Sequence, residues 1–165
     1  MSVLKQKVYA YITHGDRLLI FSHLDFPEAG LQVPGGTMEE GEDPADAVMR
    51  EAFEETGLTN LRLNAFLGEY NDALHESCEI QRRRFYHLIC DDEPPERWQH
   101  FEMNPSDGSP APIRFEFFWV PVSDGASTLE PWLTPMLPAL RNRINLAKVR
   151  KPSQGSGIQG QQPES

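Results

Sequence analysis

From Pro44 onward the apolar residues fall at helical spacing. Ala45, Val48, Met49, Ala52, Phe53 and Thr56 stand at i, i+3, i+4, i+7, i+8 and i+11, the stripe of an amphipathic helix. Its ends are marked too: Asp43 suits the N-cap, Pro44 the first helical position, and Gly57 the residue just past the last turn. Glu51, Glu54 and Glu55 lie at i, i+3 and i+4, so their carboxylates share one face, opposite Phe53 and Val48. Each like-charge pair at that spacing costs about 0.2–0.5 kcal/mol. The glutamates also occupy the last turns, where the helix dipole disfavours negative charge. A helix written this way calls for a cation.

The donors are hard oxygens without His or Cys, which points to Mg²⁺, with Mn²⁺ as the substitute, over zinc. Arg50 on the same helix can pair with Glu42 or Glu54 and hold the carboxylates in place. Read from Gly36, the chain runs Gly36, five residues, Glu42, seven residues, Arg50-Glu51-Ala52, one residue, Glu54-Glu55, one residue, Gly57-Leu58. Seven fixed letters at background frequencies coincide by chance on the order of once in 10⁸ starts. The segment resembles the box of the Nudix hydrolase family, and every fixed position is matched.

The resemblance implies an α/β Nudix fold, a mixed β-sheet between the box helix and a C-terminal helix. It implies a divalent-metal-dependent hydrolase that cuts a phosphoanhydride in a nucleoside diphosphate-linked compound: a nucleoside triphosphate, a dinucleoside polyphosphate or a nucleotide sugar. Glu51, Glu54 and Glu55 become metal ligands, joined by the carbonyl of Gly35. Glu55 or Glu116 becomes the base, Arg50 part of the catalytic centre, and Gly36, Glu42 and Gly57 structural members of the box. The alternative is a Nudix-fold sensor or interaction domain without turnover. Such domains commonly lack one or more of these glutamates, which are all present here. The stretch Leu74-His75-Glu76 matches neither the proline of the sugar-nucleotide subgroup nor the tyrosine of the dinucleoside polyphosphate subgroup.

Around the box, Lys7 to Thr13 and Arg17 to Ser22 read as a hairpin closed by His14-Gly15-Asp16. Leu31 to Val33 is a brief extended piece that Pro34-Gly35-Gly36 should end in a sharp turn. Leu61 to Tyr70, Ile80 to Cys90 and Ile113 to Val122 carry the β-branched and aromatic residues of three more strands. Asp91 to Pro112 is expected to be a long loop, and Trp132 to Val149 a helix. One domain over 1–149 is expected, followed by a disordered polar tail over 150–165.

Glu116 alternates with Phe115 and Phe117 on the last strand, a position for a further metal ligand or the base. Arg82 and Arg84, from the triplet Arg82-Arg83-Arg84, can offer guanidinium forks to phosphate, or pair across strands. Trp98 and Phe101, clustered with His100 in a polar segment, can stack on a base or anchor their segment to the core.

The net charge of −10 repels polyanions, so duplex nucleic acid is not expected as a partner, whereas a small anion carried with a divalent cation is. A homodimer is a possible assembly. The two cysteines, Cys78 and Cys90, form no zinc or disulfide pattern. No apolar run is long enough to span a bilayer or to act as a signal sequence, which makes the cytoplasm the expected address.

Overall fold

The hairpin expected at the start of the chain is long and leads into a mixed sheet. In the computed structural model, which describes residues 3–74, 78–105 and 108–150, β1 (Val3–His14) turns through Gly15 and Asp16 into β2 (Arg17–His23). Gly15 takes φ +62°, the left-handed conformation such a two-residue turn requires. A 3₁₀ turn at Pro27–Ala29 follows, then β3 (Gly35–Thr37), α1 (Pro44–Thr56), β4 (Leu61–Leu74), β5 (Glu79–Cys90), β6 (Arg97–Glu102), β7 (Ile113–Pro121), the short α2 (Gly125–Thr128), a 3₁₀ turn at Pro131–Leu133, and α3 (Leu137–Arg150). Helix α3 ends at Arg150, and residues 151–165 of the expected tail lie outside the described residues, as do His75 and Glu76.

The strand order is β4-β5-β1-β2-β7-β6, with β3 paired to β1. Strand β1 runs parallel to β5 from Val3↔Glu79 to Thr13↔Ile89. It pairs with β2 only near the turn, at Thr13↔Leu18 and His14↔Arg17. Beyond that point the hairpin parts: β3 takes the place beside β1, at Lys7↔Thr37 to Tyr9↔Gly35, while β2 goes on to β7. The gap between the two halves is where the cleft described below opens.

Three expectations are corrected. Pro34-Gly35-Gly36 is not a sharp turn, because Gly35 and Gly36 are extended in β3 and the Pro34 carbonyl accepts from Ala10 N–H at 2.8 Å. The segment from Asp91 to Pro112 is not wholly loop: β6 pairs antiparallel with β7, from Arg97↔Phe118 to Glu102↔Ile113. The final helix begins at Leu137, not Trp132, since Pro135 interrupts the approach whereas Pro138 falls in the first turn, where no N–H is needed.

From Val8 to Thr13, strand β1 is buried on both faces. Val8, Ala10 and Ile12 pack with Leu19, Phe21, Leu88, Phe115 and Phe117 under Ala47, Val48 and Ala52 of α1. Tyr9 and Tyr11 pack on the other face with Ile20, Phe85, Leu133, Leu137 and Leu140. Full burial of each large apolar side chain stabilises the fold by about 1.5–3 kcal/mol. The Tyr11 hydroxyl donates to the Leu133 carbonyl at 2.6 Å, tying the approach to α3 onto the central strand.

His87 on β5 is buried between Thr13 Oγ1, 2.7 Å from Nε2, and Asn64 Nδ2, 3.0 Å from Nδ1. Burial, with Arg143 and Arg62 nearby, pushes its pKa down to about 4. The unfolded chain binds this proton near pH 6.5 and the folded chain does not, so the stability is fully present above pH 6.5 and is lost as pH falls towards 4. Denaturation across that window should show a loss on the order of 2–3 kcal/mol, and His87→Gln should flatten the slope between pH 6.5 and 4.

Candidate active site

The inward face of α1 keeps its apolar stripe at Ala45, Val48, Met49, Ala52 and Thr56 but not at Phe53. Ala47, Val48, Glu51, Ala52, Glu55 and Thr56 are buried, while Phe53 is 52% exposed. The helix is rotated so that two glutamates point inward, and β3 makes room for them. A Cβ on Gly36 would lie 2.3 Å from Glu51 Cδ, so only glycine leaves space for that fully buried carboxylate. The Gly35 N–H donates to Glu55 Oε2 at 3.2 Å.

Arg50 organises the group. Its Nε and one terminal nitrogen donate to the two oxygens of Glu42 at 2.7 and 2.8 Å. The other terminal nitrogen reaches Glu51 at 2.9 Å and Glu54 at 3.2 Å. The Arg50 fork holds the Glu42 carboxyl below its usual range, aided by the Glu39 N–H, and the same bonds raise the Arg50 pKa further above its already high value.

Glu51, Glu54 and Glu102 each bring an oxygen to within 4.8 Å of the others. Three hard carboxylate donors, two of them buried, suit a small divalent cation and offer nothing to a soft one. Glu102 was not singled out in the sequence. It stands on β6, and its signal was the alternation Trp98, His100, Glu102, which turns three side chains toward α1.

The other expected site residues fall elsewhere. Phe115 and Phe117 face α1, which puts Glu116 on the opposite face of β7, where it pairs with Arg97; the structure does not bring it to the carboxylates. Arg84 pairs with Glu69 at 3.4 Å and hydrogen-bonds Gln6, while Arg82 lies 3.7 Å from Glu69, so neither arginine lines the cleft. The member of the triplet beside the cleft is Arg83, buried on the other face, 3.0 Å from Asp72 and with its guanidinium 4.9 Å from the ring centre of Trp132. Trp98 stacks on Phe117 at 5.2 Å and donates to the Thr56 carbonyl at 2.9 Å, contacts that favour anchoring over stacking on a base. Phe101 is half-exposed and points away from α1.

The cleft, about 280 Å³, opens beside the carboxylates at the parting of β1 and β2. Glu55 and Glu102 reach into it, Tyr9, Phe115 and Trp132 supply aromatic wall, and Lys7, His23 and Gln32 add polar groups. Tyr9 underlies Gly35 and meets Trp132 edge-on, with ring centres 5.7 Å apart.

The NUDIX domain family matches residues 3–140. The chain belongs to that family. Among curated Nudix relatives, it is 28% identical over 114 residues to an RNA pyrophosphohydrolase of Rhizobium meliloti (strain 1021), covering 61% of this chain and 64% of that protein. It is 31% identical over 84 residues to the diphosphoinositol polyphosphate phosphohydrolase 3-beta of Bos taurus, covering 51% and 48%. The chain thus spans less than two thirds of either relative's length. The fold is similar to that of a C. elegans Ap4A hydrolase in a binary complex, at 13% identity and a TM-score of 0.62, over 86% of this chain and 98% of that one. No described helix is long and apolar enough to cross a membrane.

In Nudix terms, Arg50 is the residue that lets the box keep a fully buried Glu51. Arg50→Met should destabilise the fold by about 3 kcal/mol, because a buried charge loses its partner, as urea denaturation would read out. The Glu42 share follows pH. Its folded pKa is depressed, so its contribution is present above about pH 4.5 and is lost as pH falls below that value. Glu42→Gln should remove that acid-side slope while leaving the His87 slope at its upper end, from pH 6.5 down to about 5, unchanged.

Proposed function

We propose that this Nudix protein hydrolyses a phosphoanhydride bond in a nucleoside diphosphate-linked compound with the help of Mg²⁺, Mn²⁺ being able to replace it. The observation that carries the reading is the convergence of Glu51, Glu54 and Glu102 within 4.8 Å beside a cleft that Glu102 and Glu55 line. Glu51, Glu54 and Glu102 would hold the cation, with the carbonyl of Gly35 as a further donor from β3. When bound, the ion supplies charge neutralisation for the diphosphate and a more acidic water.

The chain's own groups account for the rest. Glu55 lines the cleft and accepts from Gly35 N–H, which fixes a carboxylate where it can take a proton from an attacking water. Arg50 fixes Glu51 and Glu54 from behind and is spent on Glu42, which suits it to orientation more than to direct contact with phosphate. The aromatic wall at Tyr9 and Trp132 suits a planar moiety, which supports a nucleotide-like substrate. A binding module without turnover is the less favoured reading, because the box glutamates are all present and the cluster meets the cleft through Glu102.

Phosphate release from a panel of nucleoside triphosphates, dinucleoside polyphosphates and nucleotide sugars should be divalent-ion dependent and confined to part of the panel. Glu54→Gln and Glu102→Gln should each lower turnover by about 10²-fold or more with the fold intact. Near wild-type rates in both variants would refute the assignment. The melting temperature of the wild type should also rise with millimolar Mn²⁺, since binding to the folded state alone stabilises it by mass action.

A further inference from the structure

The carboxyl end of α1 leaves orphan carbonyls, as every helix does. Here the ladder closes unusually. Gly57 N–H donates to the Phe53 carbonyl with Gly57 at φ +75°, and Leu58 N–H turns away to the Thr56 hydroxyl at 3.0 Å. The Glu54 carbonyl, which a continuing helix would give to Leu58, instead lies 2.9 Å from His100 Nε2. A carbonyl only accepts, so this nitrogen carries the proton. The Thr56 carbonyl takes Trp98 Nε1–H at 2.9 Å. Two side chains of one edge strand therefore finish the helix.

The same strand ends at Glu102. Trp98, His100 and Glu102 alternate along β6, so all three face α1. The first grips Thr56, the second grips Glu54 and the third joins Glu54 and Glu51. The fit at His100 is close: a Cβ on Gly57 would come within 2.9 Å of the imidazole, so Gly57 serves both the left-handed cap and the approach of the ring. Trp98 is fixed in turn by its stack on Phe117 of the neighbouring strand.

From these contacts we infer that His100 is a positioning residue for the metal centre, with Trp98 in support. It binds the backbone of one carboxylate ligand and, through two residues of strand, sets the place of another. The centre is split between an element local in sequence and an edge strand that, among the described residues, pairs with β7 alone, and the bond from His100 to the Glu54 carbonyl keeps the two halves in register. The inference rests on the metal assignment proposed above and adds a residue outside the box that supplies the cation no donor atom of its own.

Mn²⁺ affinity tests it without turnover. The whole chain is titrated with Mn²⁺ while the free ion is followed by electron paramagnetic resonance, and circular dichroism monitors the fold. Glu54→Gln should abolish the site in the wild-type background. His100→Leu should weaken Mn²⁺ by about tenfold or more, the usual scale for a group that orients ligands, and His100→Gln, whose amide can still donate, should recover most of the loss. On Glu102→Gln, adding His100→Leu should cost far less than it does alone, because the two act on one ligand.

Unchanged affinity in a folded His100→Leu variant, or independent losses in the double variant, would overturn the inference. Should His100→Leu fail to fold, Trp98→Phe removes the neighbouring N–H while keeping the ring; weakened Mn²⁺ binding would support the clasp and unchanged binding would defeat it. Mn²⁺ binding that Glu54→Gln leaves untouched would remove the metal assignment itself, and this inference with it.

Discussion

Glu51 is a carboxylate with no exposed surface, and one guanidinium makes that tenable. Arg50 spends its donors on Glu42, Glu51 and Glu54 at 2.7–3.2 Å. Buried charge is ruinous when unpaired and near neutral when well paired, so the position of α1, the extended course of β3 and the absence of a side chain at Gly36 all follow from keeping this cluster satisfied. The folded chain brings Glu102 of β6 up to Glu51 and Glu54 of α1, a like-charge cluster that the Arg50 guanidinium offsets from the helix side. Stability here is set against the needs of the site.

The box was legible because its constraints are local. Helix spacing fixes which glutamates are neighbours, and the N-cap and left-handed cap appear where the residues announce them: Asp43 accepts from Ala45 N–H at 2.9 Å and Gly57 takes φ +75°. What depended on tertiary contact was not legible. The stripe pointed Phe53 inward, but the room left by Gly36 favours Glu51 there, and Phe53 was displaced to the surface. Glu116 had the right chemistry on the wrong face of β7, a distinction that needs the register of the whole sheet.

The third carboxylate illustrates the same limit more sharply. Glu102 is far along the chain from Glu54, in a segment whose prolines and acidic residues read as loop. Only the pairing of β6 with β7 turns Trp98, His100 and Glu102 to one side. Likewise the arginine triplet carried no mark to say which member approaches the cleft. Arg83 does so because β5 lies parallel to β1, placing its odd-numbered residues beside Tyr9 and Tyr11.

That parallel pairing bears on how the chain is made. Strand β1 is apolar on both sides and its long partner is β5, so Thr13 must wait for Ile89 to be synthesised before the pair can close. At about 5–20 residues per second the wait is roughly 4–15 s, during which β1 has its native neighbours on one edge alone, the hairpin tip of β2 and the short β3. A ribosome-bound chain of this kind displays the open edge of an apolar central strand well before β5 can cover it. Its yield in a cell is accordingly governed by what shields β1 during those seconds as much as by the stability of the finished molecule.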